Sequence, residues 1–190
     1  MTTIEISRRA IAHVARHGLN VYPLEAYGLL VGEPMEQGAV SARVLAVLPV
    51  GKTEQWEDPA GRFARISLAV DKAAATFATW GLAPIGTYCT LYSSSGDYYD
   101  QVLGTAPHID TAPWLILRGV DGGETIWGFG GYQFLAGGWR EAECRVVSVR
   151  VDQLHRNPKR VAIEWNRAWG VLDYGNNYAT ELPRLGLPLP

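Results

Sequence analysis

Two apolar runs, AYGLLVGE (26–33) and SARVLAVLPV (41–50), stand on either side of a stretch that begins PMEQG. Both are dense in aliphatic and β-branched residues, and a Pro- and Gly-bearing break separates them, so the pair reads as two neighbouring strands joined by a turn. Two strands cannot bury such side chains alone, and the chain supplies more. RFARISL (62–68) reads as a third strand and APIGTYCT (83–90) as a fourth, while APWLILRG (112–119), ETIWGFGGYQFL (124–135) and AECRVVSVRV (142–151) read as three more joined by Gly-rich turns.

Helical signals interrupt this series. In EISRRAIAHVARHGLN, Ser7 is placed to cap a helix, Ile6 and Ile11 have the spacing of a hydrophobic staple, and Ile11, Val14 and Ala15 share a face, with Gly18 as the expected stop. DKAAATFATWG (71–81) reads as an Ala-rich helix with Asp71 near its start and Gly81 at its end. Helices set among strands of this kind predict an α+β domain, an α-β-α layered arrangement around a mostly antiparallel sheet.

The chain changes character after residue 151. In RNPKRVAIEWNRAWGVLDYG, Asn157 can cap a helix that has Pro158 at its first position, and Val161, Trp165, Ala168, Trp169 and Leu172 fall on one face. The expectation is that this stripe docks on the chain's own sheet, with a partner or homodimer surface through Trp165 and Trp169 as the alternative. ELPRLGLPLP then reads as extended. Residues 1–151 are thus expected to form one domain, with 152–190 as a helix and Pro-rich tail packed on it.

With 190 residues, 47% of them hydrophobic, the chain can bury a sizeable core. A formal net charge of -2 argues against a surface that tracks phosphates, so nucleic acid is not an expected partner. There are two cysteines, Cys89 and Cys144, and no apolar run of membrane-spanning length; Arg8, Arg9 and Arg16 interrupt the only N-terminal segment that might act as a leader. A cytoplasmic protein off the membrane is the expectation.

The chemistry concentrates in PIGTYCTLYSSSGDYYD (84–100), where tyrosines, small hydroxyl residues, Cys89, Asp97 and Asp100 follow an apolar strand. This stretch and YPLEAYGLLVG, in this order of elements, resemble the JAMM/MPN family, also called JAB or Mov34, from about Ile4 to about Val151. Active members are zinc metalloproteases that cleave isopeptide or C-terminal peptide bonds of ubiquitin-like and sulfur-carrier proteins. Tyr22, Pro23, Glu25, Gly28, Leu29, Leu30 and Gly32 match the family's first block, and the resemblance sets Glu25 at the catalytic glutamate that handles protons for the zinc-bound water. In the second block Gly86 and Tyr88 match, but the two zinc-binding histidines are replaced by Cys89 and Leu91, with Thr90 between them. Ser94 with Asp97, or alternatively Asp100, takes the ligand aspartate's place. An open catalytic zinc site needs three protein ligands, and a leucine supplies none, so the resemblance implies the fold without its metal: no metal and no cofactor are expected.

Three readings follow. In the first, the protein is an enzyme that works without metal: Glu25 transfers protons beside Cys89, Asp97 and Asp100, while Tyr88, Tyr92, Ser94, Ser95, Tyr98 and Tyr99 hold a small-molecule or carrier-linked substrate. In the second it is a non-catalytic scaffold or binding module, as metal-free MPN domains are. The third makes Cys89 a nucleophile. A rebuilt metal site using His108 with Cys89 and Asp100 is a minor alternative. His13 and His17 have metal-pair spacing, but a surface or helix-terminus role is the expectation for His17; His155 and Cys144 carry no signal.

Overall fold

The computed structural model describes residues 2–21, 26–33, 41–52, 59–91, 115–120, 128–135, 138–148 and 157–169. They form β1 (Thr2–Ser7), α1 (Arg8–Val21), β2 (Ala26–Gly32), β3 (Ser41–Lys52), α2 (Pro59–Phe77), a 3-10 turn (Ala78–Trp80), β4 (Ala83–Leu91), β5 (Leu115–Val120), β6 (Gly128–Leu135), β7 (Gly138–Val147) and α3 (Pro158–Trp169). The strands close into a barrel in the order β1-β3-β2-β4-β5-β6-β7. β2 pairs antiparallel with β3 and with β4, as do β5 with β6 and β6 with β7; β1 runs parallel to both β3 and β7, and β4 runs parallel to β5. The α+β class holds, with a mixed sheet closed on itself.

Alternation along the central strands separates two cores. Tyr27, Leu29, Val31, Leu48 and Cys89 belong to one apolar cluster together with Ile66, Phe77, Val161 and Trp165 of α2 and α3. Leu30, Val44, Val47 and Tyr88 belong to the other, with Ile4 and Ile6 of β1 and Ala10 and Val14 of α1. Helix α1 packs against five strands that are consecutive around the barrel, β7, β1, β3, β2 and β4. It therefore lies against the concave face, and α2 and α3 cover the convex face of β2, β3 and β4.

The start of α1 follows the sequence signal. The Ser7 hydroxyl accepts the Ala10 N–H at 3.0 Å, as an N-cap should, and it donates to the Leu45 carbonyl at 3.0 Å. Leu45 lies at the irregularity where β2–β3 pairing slips between Val31↔Ala46 and Gly32↔Val44, so one side chain serves both a helix end and a bulged strand.

Several boundaries differ from expectation. Residues 62–68 belong to α2, because Ile66, Ala69, Ala73 and Phe77 are buried at helical intervals. Seven residues of near-alternating polarity are too few to separate the two periods, and here they continue into the Ala-rich run. Thr2–Ser7 is a strand that the sequence reading left out, with Ile4 and Ile6 buried. Gly18 does not stop α1, which runs one further turn to bury Val21.

Helix α3 starts at Pro158, as expected, and docks on the barrel. Trp165 is 0% exposed and its indole N–H donates to the Pro49 carbonyl at 2.8 Å. Pro49 adjoins a second irregularity, where the β2–β3 register passes from Tyr27↔Gly51 to Gly28↔Pro49. Trp169 stacks on Trp165 at 5.0 Å, and Arg160 lies 5.3 Å above the Trp80 ring at the end of α2. The expected docking of the stripe on the chain's own sheet is what is observed for Val161, Trp165 and Trp169; Leu172 lies outside the described residues. No described helix is long and apolar enough to cross a membrane.

Candidate functional site

The registers bring four chain breaks to one end of the barrel. β2 begins at Ala26, opposite Lys52, the last residue of β3, and Tyr27 pairs with Cys89 near the end of β4. The Thr90 hydroxyl accepts the Ala26 N–H at 2.9 Å, joining the first residue of β2 to the end of β4. The parallel strand β5 ends at Val120, beside Leu91. Glu25 precedes Ala26 in sequence and Tyr92 follows Leu91. Glu25, Tyr92, Ser94, Ser95, Asp97, Tyr98, Tyr99, Asp100 and His108 themselves lie outside the described residues.

Of the expected site residues, Tyr88 and Cys89 are described, and strand alternation turns them to opposite faces. Tyr88 is 1% exposed and hydrogen bonded, its hydroxyl lying 2.8 Å from His17 Nδ1; the tautomer decides which atom donates. Its ring lies over Gly28, its cross-strand partner, where a side chain would come within 2.6 Å of it. A ring buried this way offers no face for a substrate to stack on, so Tyr88 holds the interior together rather than binding at the rim. Cys89 is buried in the apolar cluster beneath α2 and α3. Cys144 is half-buried, and burial with the nearby Glu143 carboxylate pushes its thiol up to about 11, away from the thiolate a nucleophile requires. Among the described residues no group of three or more His, Cys, Asp or Glu side chains could hold a metal ion.

The principal correction concerns the two helix histidines. His17 is not at the surface: it is 1% exposed and engaged with Tyr88, and His13 is 5% exposed. Burial pulls His17 down to about 3, and burial together with Arg9 pulls His13 down to about 4. The signal was in the spacing, since Ala10, Val14, His17 and Val21 follow the 4-3-4 rhythm of a buried helix face. Sequence reasoning also missed Arg65, on α2, whose guanidinium donates to the Tyr27 hydroxyl at 3.4 Å and sets a half-buried cation beside the start of β2.

No family model and no curated protein matches the sequence. Among solved structures, the chain is similar to the solution structure of protein DSY2949 from Desulfitobacterium hafniense. The two are 17% identical, with a TM-score of 0.52, over 80% of this chain and 97% of that one. A likeness at this level of identity is one of fold.

Proposed function

We propose that this chain is a JAMM/MPN-like protein without the family's zinc centre that performs metal-independent acid–base chemistry in the cytoplasm. Glu25 is the proton-transferring group, and the substrate is a small molecule or a carrier-linked group. The observation that carries the reading is the Ala26–Thr90 hydrogen bond. It ties the strand that follows Glu25 to the strand that precedes Tyr92, Ser94, Ser95, Asp97, Tyr98, Tyr99 and Asp100, so both chemistry-bearing segments leave from one barrel end. A glutamate among aromatic side chains and partly out of water has its pKa raised toward neutrality, where it serves as acid or base.

The scaffold alternative relied on the Trp-bearing helix as a partner surface. Trp165 is fully buried against Pro49 and α2, which favours the enzyme reading. Cys89 as nucleophile is the weakest of the three, because a buried thiol within an apolar cluster behaves as a small hydrophobe.

The metal-independent half of the proposal is tested by elemental analysis of protein purified without chelator. Leu91 at a ligand position predicts no stoichiometric zinc. One zinc per chain, lost on Cys89→Ala, would overturn it.

A further inference from the structure

The histidine pair that the proposed chemistry does not use lies between α1 and the barrel. His13 and His17 stand one turn apart on the side of α1 that also buries Val14. Within the cluster on that side, β1, β2 and β3 present aliphatic side chains. The ionisable groups against it, among the described residues, are Tyr88 from β4, Cys144 from β7 and, on α1 itself, Arg9 one turn before His13. The helix spans the concave faces of five strands, so whatever loosens it opens the interior of the barrel.

We propose that protonation of His13 and His17 releases α1 from the concave face, making the helix an acid-operated latch. A charged His17 would keep its Tyr88 bond only with the hydroxyl accepting, and the charge would stand among aliphatic side chains with few dipoles to solvate it. A charge on His13 would in addition face the Arg9 guanidinium. Cys144, whose thiol is held up to about 11, stays neutral in acid and offers no countercharge.

The direction follows from proton counting. Folded, the two rings are held down to about 4 and about 3, against 6.5 when exposed. Between those values the released state binds more protons than the latched one, so acid favours release. The latch is fully closed above about pH 6.5 and weakens steadily as the pH falls toward 4 and 3.

Ring NMR spectra of the wild-type protein from neutral pH to about pH 3.5, recorded with amide-exchange protection of α1 and β2, test the latch. The rings of His13 and His17 should keep their neutral shifts while α1 is protected, and should take up protons in the step in which α1 loses protection. The variant H13Q/H17Q should hold α1 protected to lower pH than wild type; if it does not fold, the wild-type spectra decide alone. The proposal is overturned if either ring protonates while α1 stays protected, if α1 opens with both rings neutral, or if a folded H13Q/H17Q opens at the wild-type pH.

Discussion

A methyl group added at Gly28 would run into the Leu48 carbonyl and come within 2.6 Å of the Tyr88 ring. Neither neighbour yields cheaply, because the carbonyl belongs to a paired strand and the ring is held by His17. Gly28→Ala should therefore destabilise the protein by about 1–3 kcal/mol, the usual cost of overpacking, read as a lower unfolding midpoint at unchanged denaturant slope. An unchanged midpoint would mean that the Tyr88 ring lies elsewhere. At this scale local signals were legible and cross-fold ones were not. Ser7 was readable as a cap because the bond it makes spans three residues. The bond between His17 and Tyr88 spans 71 residues, and nothing near either residue announces it, so histidine's polarity was read as exposure although the spacing indicated burial.

Helix α3 is the element whose role changed least between sequence and structure. Pro at its first position and a stripe at helical spacing are strong signals, and the stripe docks as they implied. Trp165→Ala removes a fully buried indole together with its bond to the Pro49 carbonyl, and should cost about 3–5 kcal/mol in unfolding experiments with no change in elution volume. A variant of wild-type stability would place Trp165 outside the core, and a shift in association state would restore the partner-surface reading. Helix α2 shows the opposite case. Its first half carries Phe63, Ile66 and Leu68 between polar residues, a pattern a strand would share, and the choice was settled by continuity with the Ala-rich second half. Tertiary packing of Ile66, Ala69, Ala73 and Phe77 decides such a segment.

At the scale of the molecule, closure depends on β1, which sits between β3 and β7 and is parallel to both. Parallel pairing between strands far apart in sequence leaves no local periodicity, so the strand content was legible and the barrel was not. The candidate site was legible only through the resemblance of its motifs to the JAMM/MPN family; the described barrel end adds the joining of Ala26 to Thr90. The central claim is that Glu25 does acid–base work without a metal, and Glu25→Gln tests it most directly, because the amide keeps the shape and loses the titratable proton. Thermal unfolding is measured on wild type and variant, alongside the metabolites and carrier conjugates that accumulate or disappear in cells producing each. The account predicts equal unfolding midpoints, a wild-type-dependent change in at least one compound, and loss of that change in Glu25→Gln. A well-folded Glu25→Gln protein that still produces the full change would contradict it.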